Sequence, residues 1–205
     1  MAVTAIKEGV SQLKRQLILE AAAKLFYERG YAATRIDDII TELSASRRVI
    51  YEHFGGKSDI LVAICEQAIR STIDLAMGIA RAPLDPVEKL RRLVRDFTKI
   101  VIDNRDYIAI STREMMFLPA DSRSRITRMQ KKFDRILGDI LAAGVERGVF
   151  AVADPAITAH AIGGMIIWSH RWYRASGRLS AEAVADAMAA AALSMVVRGG
   201  DSSPR

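Results

Sequence analysis

Arg47 and Arg48 stand side by side between Ser46 and Val49, a short distance ahead of Lys57. A guanidinium can hold guanine O6 and N7 through two parallel hydrogen bonds, which discriminates against a wrong base by about 1–3 kcal/mol. At an outward position it serves equally as a phosphate contact or a solvated charge, so both arginines carry more than one reading. Ser46 can cap a helix by accepting an orphan backbone N–H. Val49 can rest on a thymine methyl or fill a core. Lys57 opens a further helix, where its cation and the free N–H groups favour an anion. Catalytic chemistry has no comparable signal. His53, His160 and His170 are scattered, with no pair at the i, i+4 spacing of a helical metal site. Gly55-Gly56 lacks a phosphate-loop pattern, and no serine lies in a nucleophile elbow. The lone Cys65 excludes a disulfide framework and a cysteine-based metal site. No catalytic residue, no metal and no enzymatic activity are expected.

The stretch that positions these residues runs from Thr34 to Lys57. Thr34-x-x-Asp37 looks like a capping-box start, and Ile36, Ile39, Ile40 and Leu43 follow at helical spacing. Ser44-Ala45-Ser46 breaks that pattern before a second short helix, Arg47 to Phe54. The pair reads either as a helix-turn-helix, whose second helix offers its N-terminal residues to the major groove, or as a plain packing unit. A helix over 11–29 precedes it, with Ile18, Ala21, Ala22, Leu25 and Phe26 on one stripe and Gly30 at its end. Residues 1–10 read as a loose arm. A long helix over 57–81 follows, then helices over 86–103, 105–117, 122–147, 154–176 and 180–198. The chain is therefore expected to be all-α, with a first helical domain over 1–56, a second over 57–198, and a disordered tail over 199–205. The last two helices are unusual. One carries Ala159, Ala161, Gly163 and Gly164, and the other reads AEAVADAMAAAALSMVV. A helix apolar nearly all round must be covered, either as a core helix or where the pair meets its copy across a twofold axis.

Half of the 205 residues are hydrophobic and 6% are aromatic, with a net charge of +6 and a pI near 9.7. Such a basic balance suggests an anionic partner. Its location is informative. Residues 1–60 hold nine Lys/Arg against eight Asp/Glu, and residues 61–205 hold twenty-one against sixteen. The arginine-bearing helix pair thus gains nothing from net charge. The N-terminal stretch lacks the apolar core of a signal peptide, and no run approaches the ~18 apolar residues of a membrane span. A cytoplasmic protein without membrane attachment is expected.

The first sixty residues resemble the TetR family of transcriptional repressors. The matching string is Ile18-Leu19-x-Ala21-Ala22-x-x-Leu25-Phe26-x-Glu28-Arg29-Gly30-Tyr31, then Ala33-Thr34-x-Ile36-Asp37-Asp38-Ile39. It continues through Ser46-x-x-x-Ile50-Tyr51-x-His53-Phe54-x-x-Lys57-x-x-Ile60-Leu61. The resemblance implies an all-helical homodimer, with a small helix-turn-helix DNA-binding domain over 1–56 and a larger helical effector-binding and dimerisation domain over 57–198. The apolar last two helices are where the two copies are expected to meet. It implies backbone-phosphate contacts for Tyr51 and His53, and adds a phosphate contact to the capping role of Thr34. With Ser46, Arg47, Arg48, Val49 and Lys57, these make the candidate DNA site. The chain departs from common family usage at Ile40 and Leu43, where small residues are usual, and at Ser44-Ala45, where Gly-Val is usual. It departs again at Arg48 and Val49, where Gly or Pro and then Thr are common. Ser44 is expected to be strained, because losing the turn glycine removes a residue that tolerates positive φ.

A second resemblance lies further along: Arg113-Glu114-Met115 with Arg125, then Gly144-Val145-x-x-Gly148-Val149-Phe150, then Gly164-Met165-x-x-Trp168-x-x-Arg171-Trp172-Tyr173-Arg174-x-x-Gly177-x-Leu179-Ser180. It is similar to regulators of this family that sense acyl-CoA thioesters. Between Arg91 and Arg135 twelve Lys/Arg stand against six Asp/Glu, and a phosphate-rich head on an apolar tail needs cations at the mouth of an apolar cavity. The candidate effector residues are the cations Arg113, Arg171 and Arg174, the indoles Trp168 and Trp172, and the adaptable walls Met115, Met116, Phe117 and Met165. Trp and Met at helical spacing also serve as ordinary core. The expectation is a repressor that binds a palindromic operator as a dimer and is released by a small effector, with no cofactor. A sensor of hydrophobic drugs controlling an efflux pump, and a lipid or acyl-CoA carrier without DNA binding, stand as alternatives.

Overall fold

The computed structural model describes the backbone of residues 2–197 and the side chains of residues 6–197. The tail over 199–205 lies outside the described residues. The all-α expectation holds. The elements are α1 (Ala2–Arg29), α2 (Ile36–Leu43), α3 (Arg47–Tyr51), α4 (Lys57–Arg81), α5 (Pro86–Asp103), α6 (Arg105–Arg113), a 3₁₀ turn (Met115–Phe117), α7 (Ala120–Glu146), α8 (Pro155–Trp172) and α9 (Ala181–Val196). Among the described residues no helix is long and apolar enough to cross a membrane.

Helix boundaries differ from the sequence reading at the starts of α1 and α2, and by two residues at the start of α7. Helices α3, α6 and α8 end at Tyr51, Arg113 and Trp172, short of the expected 54, 117 and 176. The loose arm over 1–10 is instead the first part of α1. Its Ala, Lys and Glu are good helix formers, and Gly9 costs only about 1 kcal/mol once the helix is nucleated by its buried second half. Helix α2 begins at Ile36, because the Thr34 hydroxyl is used elsewhere. It donates to the carbonyl oxygens of Gly30 (2.9 Å) and Leu25 (3.4 Å), at the end of α1. Arg35 takes the N-cap position, and its N–H is accepted by Asp38 Oδ2 at 2.6 Å.

The chain forms two compact units. The first runs to Ala68 and takes in Asp106–Ile126; the second holds Ile69–Arg105 and the chain from Thr127 onward. The first unit is built on the stripe of α1, where Ile18, Leu19, Leu25 and Phe26 are almost completely buried. Against it pack Ile39 of α2, Ile50 of α3, Phe54, Ile60, Leu61 and Ile64 of α4, Ile110 of α6, Leu118 and Ile126. Full burial of each such side chain stabilises by about 1.5–3 kcal/mol. Ile40 and Leu43, bulkier than the family norm, sit half-buried at the rim of this core.

In the second unit α5 buries Leu90, Leu93, Val94, Phe97 and Val101 and packs on both α8 and α9. Phe97 meets Phe133 of α7 with ring centroids 4.8 Å apart. Helix starts here follow the sequence signals: Asp85 and Asp154 accept backbone N–H groups just ahead of Pro86 and Pro155, and Ser180 caps α9. Gly144 has no room for a side chain, since a Cβ would overlap the Phe150 ring. Helix α9 buries Val184, Ala185, Ala189, Ala192 and Val196 but exposes Ala187, Ala190, Ala191 and Met195. Within one chain it is therefore not a fully buried core helix.

Ser44 is the sole non-glycine residue with positive φ among the described residues, at φ 50° and ψ 37°. This left-handed geometry lets its N–H reach Thr41 O and the Ala45 N–H reach Ile40 O, both at 3.1 Å, which closes α2. Glycine adopts it without the Cβ clash, partly offset by greater freedom in the unfolded chain. Ser44→Gly is therefore expected to stabilise the protein by about 0.5–1 kcal/mol in urea unfolding. A destabilised variant would show that the serine is not strained.

Candidate functional site

Helix α3 is only five residues long, and one side chain anchors it: Ile50, fully buried. The anchor turns the preceding residues outward. Ser46 is the N-cap residue in extended geometry (φ −85°, ψ 153°), but its hydroxyl makes no capping bond and stays exposed. Arg47 and Arg48 are exposed, and Val49 is partly buried against the rim of the core. Tyr51 is 48% exposed and His53 partly so.

Both arginines are held in waiting by carboxylates. Arg47 pairs with Asp37 of α2, and Arg48 Nε lies 2.7 Å from Glu52 Oε1. The hydrogen bond from Arg48 holds the Glu52 carboxyl below its ordinary range. These are solvent-exposed pairs, with the Arg48 side chain 86% exposed, so water already screens them. A guanidinium in such a pair is oriented yet easily transferred to a phosphate or a base edge.

Two other DNA candidates face inward. Thr34 is fully buried, with its hydroxyl bonded as described. The Lys57 ammonium donates to the carbonyl oxygens of Tyr31 (2.8 Å), Thr34 (2.7 Å) and Ala32 (3.4 Å), and lies 4.3 Å from the centre of the Tyr31 ring. Partial burial lowers its pKa. Its side chain thus ties the connection between α1 and α2.

Arg113 is likewise bound up within the first unit. Its Nε donates to Glu114 Oε1 at 2.7 Å, and its Nη2 to Phe26 O at 2.6 Å, a carbonyl in the last turn of α1 that also accepts the Gly30 N–H. Glu114 is 5% exposed and also accepts the Tyr31 N–H at 3.4 Å. Met115 packs half-buried on the same core, Phe117 lies 5.3 Å from the Tyr31 ring, and Met116 is 72% exposed. The other effector candidates belong to the second unit, on α8 and just after it. Arg171 stacks on Trp168 at 4.8 Å, and Trp168 and Trp172 remain about half exposed, with Met165 partly buried on the same helix. Arg174 turns back to donate to the carbonyls of Arg171 (2.8 Å) and Tyr173 (2.9 Å), closing α8. A cleft of about 210 Å³ there is lined by Trp172, Arg174 and Arg178 among others. Arg178 escaped the sequence reading, because it lies in a connection with no periodicity to mark it.

The one thiol, Cys65, is buried, and burial pushes its pKa up to about 11. Among the described residues no three His, Cys, Asp or Glu side chains stand together as metal ligands.

Comparison with known proteins gives the following. Residues 18–64 match the family described as "Bacterial regulatory proteins, tetR family", and residues 83–196 match "Tetracyclin repressor-like, C-terminal domain". The HTH-type transcriptional repressor KstR2 of Mycobacterium tuberculosis is 27% identical over 198 residues, covering 94% of this chain and 97% of that protein. The crystal structure of the regulator PfmR from Thermus thermophilus superposes with a TM-score of 0.80 at 33% identity, covering 86% of this chain and 97% of the other. A structure of AibR in complex with isovaleryl coenzyme A and operator DNA superposes with a TM-score of 0.77 at 26% identity, covering 87% and 97%.

Proposed function

The chain belongs to the TetR family of bacterial regulatory proteins, and we propose that it is a cytoplasmic, homodimeric repressor that binds a palindromic operator and is released by an acyl-CoA thioester. The observation that carries the DNA reading is the face of α3. Arg47 and Arg48 project from its first turn, fastened only by exposed ion pairs, with Val49 and Tyr51 beside them. In this reading residues 1–56 are the DNA-binding head and residues 57–198 the effector-binding and dimerising body. The recognition helices of a dimer address successive major grooves, about 34–36 Å apart.

Dimerisation is assigned to α8 and α9. Both leave apolar side chains exposed, including Ile157 (67%), Ile167 and Met195, and a folded monomer has no use for them in water. The effector class rests on the exposed Trp168–Arg171 stack and the neighbouring Trp172 and Arg178, which suit an adenine ring and phosphates. The AibR complex with isovaleryl coenzyme A and operator DNA supports it by analogy. Effector binding shifts the population toward a state in which α4 has moved, and the linkage is reciprocal, typically about 1–3 kcal/mol. A drug sensor governing an efflux pump is the second reading, which acidic cavity walls would favour. The twofold excess of basic residues over 91–135 weighs against it.

Three outcomes are expected. First, an operator selected from random duplexes is lost to the Arg47→Ala/Arg48→Ala variant, by about 1–3 kcal/mol per base-reading arginine, while any effector still binds. A carrier without DNA binding would show no selected operator at all. Second, isovaleryl-CoA or a longer acyl-CoA releases the operator in a gel-shift titration. Trp168→Ala and Arg171→Ala blunt that release with basal DNA binding intact, whereas Arg113→Ala lowers the melting temperature of the unliganded protein. No release by short-chain or long-chain acyl-CoA sinks the effector assignment. Third, sedimentation gives a dimer that Ile157→Asp/Ile167→Asp converts to a folded monomer; a monomeric wild type would end the dimer reading.

A further inference from the structure

The first part of α1 has no part in the core. Burial on this helix starts at Ile18, where the family match also begins, and residues 6–15 are all exposed. A helical extension so fully solvated is marginal by itself. On one face of it stand Lys7, Ser11 and Lys14, at i, i+4 and i+7. That face borders an open groove of about 390 Å³, whose other wall is Glu52 and His53, directly after α3. Glu52 is already taken by Arg48 at 2.7 Å. Neither lysine makes an ion pair or hydrogen bond of its own among the described residues, beyond the Coulombic influence of Lys14 on Glu52.

We propose that the extension is a second DNA-contacting element, a phosphate-binding arm in which Lys7, Ser11 and Lys14 carry the head's contact past the residues offered by α3. This rests on the DNA-binding reading above and deepens it. Three observations select the partner. The lysine face is continuous with His53 through the shared groove, so it borders the surface already aimed at the duplex. Lys7 and Lys14 are about 10 Å apart along the helix axis, so their long side chains can reach different phosphates of one duplex. A second copy of the same face would bring lysine against lysine, which disfavours self-pairing. The arm also answers the charge balance of the head. A nearly neutral domain with few free cations gains most from two that stand clear of its own carboxylates.

The test is the salt dependence of binding to a mixed-sequence duplex about four helical turns long, which counts phosphate contacts without needing the operator. In the full-length protein, Lys7→Gln/Lys14→Gln is expected to make the log–log salt slope shallower by about 2 per engaged protomer between roughly 50 and 200 mM salt. Deleting residues 2–10 removes Lys7 alone and is expected to lower the slope by about 1. Preference for a selected operator over the mixed duplex stays unchanged, and Lys131→Gln/Lys132→Gln leaves the slope as it was. A wild-type slope in both N-terminal variants overturns the arm. So does an unchanged slope accompanied by altered sedimentation mass, which would assign this face to a protein partner. A wild-type protein that binds no duplex is a different failure, since it ends the DNA reading and the arm together.

Discussion

Tyr31 is held from several sides, and the geometry of the surface that carries α3 depends on it. Its N–H is accepted by the buried Glu114 carboxylate, and its carbonyl accepts the Lys57 ammonium. Its ring lies edge-on to Phe26, tilted against Phe117 and beneath Lys57. Four segments therefore converge on one residue: the end of α1, the approach to α2, the start of α4, and the turn after α6. Each polar bond there involves a charged partner, which makes it stronger than a neutral bond and costly to leave unmade. Because the chain leaves α1 through Gly30 at φ 86°, the same knot fixes where α2 begins and hence where α3 can lie.

From that fixed point the chemistry of the surface follows by subtraction. Lys57, Arg113 and Thr34 are the kinds of residue a sequence offers for ligand contact, but their polar atoms close the head upon itself. Arg47 and Arg48 remain outside, paired only with exposed carboxylates. A domain with nine basic and eight acidic residues over its first sixty cannot attract DNA by bulk charge. An anion that meets it would be met by a few cations whose neighbouring carboxylates are already satisfied. Glu52 illustrates this: by taking Arg48 it leaves the groove beside His53 to the lysines of α1.

The two units show different uses of small and strained residues. In the first, Ser44 occupies a left-handed position that glycine would adopt at lower cost, so the turn before α3 is closed under mild strain. In the second, Gly144 yields its side-chain space to Phe150, and the alanines of α9 let it lie close on α5 while its other face stays exposed. Alanine on both faces explains why α9 reads as apolar all round while burying only one of them.

The sequence alone determined the helical class, the element order, most helix boundaries and the identity of the family. It did so because those properties are written in local patterns: 3.6-residue periodicity and terminators such as Gly30. It also marked Ser44, since a serine where a turn needs positive φ is a local conflict. Only the tertiary structure decided which polar side chains remain available. Thr34 and Lys57 match a family pattern, but their hydroxyl and ammonium are consumed by carbonyls brought to them across the fold, between 4 and 26 positions away in sequence. Arg113 meets the end of α1 across 87 positions, a distance no spacing rule spans. The first part of α1 is the converse case: a stretch expected to be a loose arm is helical, which puts Lys7, Ser11 and Lys14 on one face. Periodicity is a property of neighbours along the chain, whereas the fate of a charge depends on which acceptors the fold delivers to it.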